Sequence, residues 1–311
     1  MVKLELYTEE FKKEYYSKVK NQIPIDKIQD IVRESKDFLP ENFYSTASED
    51  EFEELILAPF AKLKEAKEHI AKKSYGIMRA KCFEKCVTDK VKEKLCPPFD
   101  LLYSQFGNVM KSFVNKETMR VKIANNNGKL TVCPFCNRDY INSRGGSRSG
   151  AQIDHFYPRT VYPVFSLCLY NLVPVCGNCN RIKSNSTVNF ASPWDETIDW
   201  NSAIRFSYKP KDMDSYQIVI KAKGNAKNNI NKMHIREAYS IHSSQVEELL
   251  EKQRFYSETQ KEEFQDVLKE LSISDQDIKR MIFGSEITSD KLGTKSLGRM
   301  TRDLHKRLGI Y

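Results

Sequence analysis

The chain has 311 residues, 40% of them hydrophobic and 30% charged, with a formal net charge of +8. That length can bury a real core as one large domain or two smaller ones, and the basic balance suits a polyanionic partner without requiring one. The longest apolar-rich stretch, residues 161–176, is broken by Pro163, Asn171 and Pro174 and is shorter than the roughly 20 residues of a membrane span; residues 1–10 lack a signal-peptide core. The expectation is a soluble, cytoplasmic protein with no membrane partner.

Residues 1–128 read as an N-terminal helical region. Phe11, Tyr15 and Val19 recur at helical spacing, as do Ile28, Ile31 and Val32. Ser48 with Glu51 resembles a capping box opening the stripe of Phe52, Leu55 and Ile56; Pro59 should kink or end that helix before Leu63, Ala66 and Ile70 resume it. Cys82 and Cys86 lie four apart, which predicts a helix with two small buried side chains. The run Asn125-Asn126-Asn127-Gly128 marks a turn. From 129 to 200 the helical Lys/Glu texture gives way to Cys, Gly, Pro, Asn and aromatic residues. The region 201–311 opens with two alternating segments, Ala203–Tyr208 and Tyr216–Ala222, that predict a β-hairpin. It then returns to helix, with Val246, Leu249 and Leu250 on one stripe and Phe264, Val267, Leu268 and Leu271 on another. Its end, residues 291–311, sets six Lys and Arg against Asp303 and is expected to meet nucleic acid or an acidic partner surface, through Arg299 and Arg302 among others.

The central region carries the chemistry. Cys133/Cys136 and Cys176/Cys179 form two C-x-x-C pairs about forty residues apart, the pattern of two knuckles presenting four thiolates to a tetrahedral Zn²⁺. Between them, Asp154-His155 sets a hard anionic oxygen beside an imidazole that can be neutral near pH 7. Successive side chains on an extended backbone point to opposite sides, so the carboxylate can hold a metal while the imidazole faces a water. Asn180 follows the last cysteine directly, and its amide oxygen suits Mg²⁺ or Mn²⁺. Arg181 and Lys183 are candidates for a flanking phosphate, or solvated charges at a helix start. Arg159, with Arg138, Arg144 and Arg148, could line a groove with Tyr140, Phe156 and Tyr157 as stacking faces, or simply be solvated. Asp195-Glu196 reads as turn chemistry, and His234 and His242 as core or surface histidines.

Asp154-His155, Asn171 sixteen residues on, and Cys176-Gly177-Asn178-Cys179-Asn180 together resemble the HNH (ββα-metal) endonuclease motif. The third letter is Asn, as in phage resolvases and the HNH domains of CRISPR effectors. The segments Thr131–Arg138 and Asp154–Pro158, and more loosely Leu297–Leu304, are similar to HNH subunits encoded beside ATPases in Septu-type anti-phage systems. The resemblance covers about a quarter of the chain. It implies an α+β, mainly α protein in which residues 129–200 form a ββα-metal core with a zinc knuckle, flanked by helical segments and the hairpin. It implies that Asp154 and Asn180 bind a catalytic Mg²⁺ or Mn²⁺, that His155 is the general base, that Asn171 braces the loop beside it, and that the cysteines hold a structural zinc. It also implies a nucleic-acid substrate, DNA or RNA with DNA favoured, and an ATPase partner that gates cleavage. Two alternatives stand beside it: a tRNA endonuclease of the same mechanism, and a non-catalytic zinc module that binds nucleic acid or protein. With an unperturbed imidazole, cleavage should rise with pH through about 6.5.

Overall fold

The computed structural model describes residues 1–47, 49–71, 83–85, 93–95, 97–213, 215–256, 260, 262–263 and 273–311, with backbone alone for 83–85 and 93–95. Helix α1 (Glu9–Lys20) shows how the sequence makes its elements. Thr8 caps it by accepting from the Phe11 N–H at 3.3 Å, Glu9 and Glu10 sit in the first turn, and Lys18 and Lys20 sit in the last. Its inner face buries Phe11, Tyr15, Tyr16 and Val19, each contributing roughly 2 kcal/mol of burial before entropy is counted. Helix α2 (Ile25–Ser35) buries Ile28, Ile31 and Val32, and α3 (Glu51–Ile56) buries Phe52, Leu55 and Ile56. The cap of α3 is Asp50, whose carboxylate accepts from Glu53 N at 3.1 Å; Ser48, the expected cap, lies outside the described residues. The chain breaks at Pro59, and α4 (Phe60–His69) starts on the far side.

The expectation of helix throughout the first 120 residues needs correcting in two places. Residues β1 (Phe83–Lys85) and β2 (Glu93–Leu95) pair antiparallel, so the stretch between Cys82 and Cys86 is extended, not helical; both cysteines and Cys96 fall outside the described residues. After α5 (Phe99–Lys111), a small hairpin of β3 (Phe113–Val114) and β4 (Glu117–Thr118) turns at Asn115, whose φ of 57° only a residue tolerant of the left-handed region adopts readily. Helix α6 (Met119–Asn125) ends in the expected turn, with Asn126, Asn127 and Gly128 at φ of 40°, 58° and 76°.

The central region holds β5 (Gln152–His155), antiparallel to β6 (Leu172–Val175), and then α7 (Gly177–Lys183). After α8 (Trp200–Ala203), the expected hairpin forms from β7 (Ile204–Asp212) and β8 (Ser215–Ala222), longer than its sequence signal, with a register shift between Pro210 and Asp212. Helices α9 (Ala226–Lys232), α10 (Ile235–Tyr239), α11 (Ser243–Phe255), α12 (Asp275–Phe283) and α13 (Gly298–Arg307) follow. The stripe of Phe264, Val267, Leu268 and Leu271 lies outside the described residues. The architecture is α+β, mainly helical, with small two-stranded antiparallel sheets, and among the described residues no helix is long and apolar enough to cross a membrane.

One hydrophobic core runs through all three sequence regions, from Met1 and Leu4 through Trp194 to Leu304 and Ile310. The extended N-terminus laces them together: Val2 N donates to Pro134 O at 2.9 Å and Leu4 N to Pro193 O at 3.0 Å. Arg299 closes the junction from the other end. Its side chain is buried, and it donates to Met1 O at 2.8 Å and Trp200 O at 2.9 Å, so it is a structural clamp and not the surface cation expected from the sequence. Arg299→Met should strand those carbonyls in the core and cost about 2–4 kcal/mol in urea denaturation; wild-type stability in that variant would show that the clamp is idle.

Candidate active site and metal centre

The two C-x-x-C turns meet. Cys133, Cys136, Cys176 and Cys179 are all buried, with their sulfur atoms within 4.8 Å of one another. Four sulfurs on one zinc at about 2.3 Å stand about 3.8 Å apart, so the cluster fits Zn²⁺ after a small contraction. Local structure favours thiolates here: Cys176 caps α7, its Sγ receiving Cys179 N at 3.4 Å. Without a cation the four cannot all ionise. S–H donation from its neighbours holds Cys136 far below the usual thiol range, while burial pushes Cys133 far above it, and hydrogen bonding to the neighbouring cysteines does the same to Cys179. A divalent cation removes that conflict. The knuckle also organises the C-terminus: buried Asn137, at φ 53°, donates to Leu292 O at 2.8 Å and accepts from Arg299 N at 2.8 Å.

Next to the cluster, β5 alternates its side chains between two surroundings. Gln152 and Asp154 face α7; His155 faces α5. The Asn180 amide nitrogen donates to Gln152 Oε1 at 2.7 Å, leaving its carbonyl oxygen for another partner. Asp154 is buried, and burial raises its pKa to about 6 against the opposing pull of Lys183. The Lys183 ammonium, fully buried, donates to Asp154 Oδ1 at 3.1 Å and to His155 O at 2.9 Å. It also lies 2.9 Å from Asp154 Oδ2, where the angle does not make a second hydrogen bond. Lys183 therefore does not present a surface cation to a phosphate; it neutralises the carboxylate beside the imidazole.

His155 is half-buried, its ring 4.5 Å from that of Phe106 on α5. Its Nε2 lies 2.9 Å from Ser166 O. A carbonyl only accepts, so Nε2 carries the proton in the neutral ring and Nδ1 keeps its lone pair. Burial, aided by the Arg159 charge, lowers the imidazole pKa to about 3. Arg159 itself packs 4.1 Å over the Tyr103 ring and donates to Tyr103 O at 3.2 Å, which ties it to α5. Asn171 is wholly buried. It accepts from Tyr157 N at 2.8 Å and donates to Tyr157 O and Phe165 O at 3.1 Å each, fastening both ends of the loop that supplies Ser166.

Of the other sequence candidates, Arg181 is exposed and bonds Asn178 Oδ1 at 3.1 Å, and Arg144 and Arg148 are exposed. Arg138 is tied to Ala238 O and Asp139, and Phe156 is buried, so neither offers itself to a groove. Asp195 caps its own turn by accepting from Thr197 N at 3.1 Å. Sequence reasoning missed Gln152, Ser166 and Phe106. Gln152 had a signal, two residues before Asp154 on the same strand face. Ser166 acts through its carbonyl and left none.

The buried ion pair gives a direct test. The folded pKa of Asp154, about 6, lies above the unfolded value of about 3.9. The folded state thus binds the extra proton between these values, and this group's contribution to stability falls as pH rises through that window. Lys183→Ala removes the compensating cation and should cost about 3–5 kcal/mol at pH 8, with a smaller loss at pH 5 where Asp154 protonates. A pH-independent loss would mean that Asp154 is not the group left unpaired.

Compared with protein-family models, curated proteins and solved structures, the chain shows no significant match to any.

Proposed function

We propose that this chain is a metal-dependent endonuclease of the HNH class, hydrolysing phosphodiester bonds of nucleic acid, DNA before RNA, with Asp154, His155 and Asn180 at its centre. The observation that carries the reading is the fixed tautomer of His155: a neutral imidazole with Nε2 on Ser166 O and the Nδ1 lone pair left to accept, adjacent in sequence to a buried carboxylate. Such a ring can take a proton from a water at Nδ1 and has no need to lose one first. Further support comes from the order strand, strand, helix around a four-cysteine cluster.

Asp154 and the Asn180 carbonyl oxygen, presented to one strand–helix interface, would hold Mg²⁺ or Mn²⁺ in competition with the Lys183 ammonium. When bound, that ion supplies charge stabilisation at the phosphoryl and leaving oxygens. Asn171 keeps the Ser166 carbonyl, and through it the imidazole, in place. The proposal includes an ATPase partner that docks on the surrounding helices and gates cleavage.

Mn²⁺ binding followed by electron paramagnetic resonance tests the centre independently of turnover. One exchangeable site is expected in the zinc-loaded chain, lost in Asp154→Ala and weakened in Asn180→Ala. Undiminished Mn²⁺ binding in Asp154→Ala would overturn the assignment of that carboxylate.

A further inference from the structure

Away from the cysteines and His155, a cavity of about 470 Å³ opens between β7, β8 and α13. Its walls carry Arg205, Lys221, Arg302, Lys306 and Arg307 against one acid, Asp303. That acid is already engaged: its Oδ2 accepts from Phe206 N at 2.9 Å and its Oδ1 from Arg302 Nη2 at 3.2 Å. Among the described residues, Arg205, Lys221, Lys306 and Arg307 pair with no carboxylate.

The arrangement works against the stability of the hairpin. Arg205 and Lys221 stand directly opposite each other in the β7–β8 register, and like charges at opposed positions of an antiparallel pair repel. On the helix side, Arg302 is buried to 5% exposure and its Nε has no acceptor among the described residues, although the other guanidinium nitrogens bond Ser289 and Asp303. An unpaired buried N–H destabilises the fold that holds it. Arg307 is held with its guanidinium 4.4 Å over the Tyr208 ring, which orders a cation at the rim. An opposed cationic pair and a fixed guanidinium line one concavity beside the buried Arg302, and an anion seated there relieves the repulsion between Arg205 and Lys221.

We infer that this cavity is a binding site for a phosphate-bearing ligand of nucleotide size, separate from the hydrolytic centre. A single carboxylate cannot neutralise the five cations, whereas a di- or triphosphate or consecutive backbone phosphates can. Guanidinium forks match phosphate oxygens two at a time. The volume falls within the roughly 300–1,000 Å³ of small-ligand pockets. The phosphate comes either from a free nucleotide or from a nucleic-acid end that the chain holds, and the same chemistry serves both. The site does not rest on the nuclease reading and stands or falls without any cleavage.

The test uses the full zinc-loaded chain without added Mg²⁺ or Mn²⁺, with pyrophosphate, ADP and a 5′-phosphorylated thymidine octamer as probes. Binding is followed by calorimetry and by the thermal midpoint at low salt. At least one probe is expected to bind and raise the midpoint. Arg205→Gln/Lys221→Gln should weaken that probe at least tenfold, while its ligand-free midpoint stays level or rises because the opposed charges are gone. Binding of ADP at least tenfold tighter than the octamer assigns the site to a free nucleotide. Binding of the octamer alone, with a salt slope about one to two units lower in the variant, assigns it to nucleic acid. If no probe shifts the midpoint, or if the double variant binds as the wild type does, the inference is wrong.

Discussion

His155→Ala is expected to lower the cleavage rate by about 10²–10⁴-fold, the range for loss of a positioned general base, while folding, zinc content and nucleic-acid affinity stay close to wild type. The substitution removes the ring from a half-buried place where it contacts Phe106 and Ser166 O. His155→Gln can keep the donor to Ser166 O but has no basic nitrogen, so it should be as slow as alanine; rescue by glutamine would assign His155 a positioning role. The pH profile separates this account from the sequence expectation of a rise through about 6.5. The folded imidazole pKa, about 3, is below its unfolded value. The base is therefore already neutral across pH 6–8, and no histidine limb should appear there. The same shift has a cost in stability. The unfolded state takes up the proton first, so this group's contribution is fully present above about pH 6.5 and is lost as pH falls towards 3. His155→Gln should be less acid-sensitive than the wild type.

Cys179→Ser is expected to lose the zinc and, with it, most of the folded protein. Zinc on four thiolates contributes about 10–16 kcal/mol of apparent binding energy in small zinc domains, as much as or more than a typical domain's net stability of about 5–15 kcal/mol. The consequence reaches well beyond the knuckle. The cluster joins the turn at 133–137 to α7, and that turn anchors Tyr239 through a 2.7 Å bond to Cys136 O and the C-terminal segment through Asn137. Loss of the metal should therefore unfasten α10 and α13 as well as the hairpin that carries Asp154. Elemental analysis with denaturation of wild type and variant checks this. A zinc-free wild type of unchanged stability would remove the metal from the account.

The sequence revealed the periodic and the chemical. Stripes such as Phe11, Tyr15 and Val19, the hairpin at 204–222 and the gathering of four cysteines were legible because each rests on local spacing. What it concealed depends on tertiary position. Lys183 and Arg299 read as surface cations because most lysines and arginines are; their burial became visible only with Asp154 in front of one and three chain segments around the other. The short strands at 83–85 and 93–95 had no alternation long enough to register. The pairing of the histidine with a backbone carbonyl has no side-chain signature at all.

The most direct measurement of the central claim is cleavage of supercoiled plasmid and total tRNA by the zinc-loaded chain with Mg²⁺ or Mn²⁺, run beside His155→Ala, with the product ends mapped. Divalent-dependent cuts carrying 5′-phosphate and 3′-hydroxyl ends are expected in the wild type, and almost none in the variant. A folded, zinc-replete His155→Ala that cuts as fast as the wild type, or a wild type that binds nucleic acid and leaves both substrates intact, would contradict it.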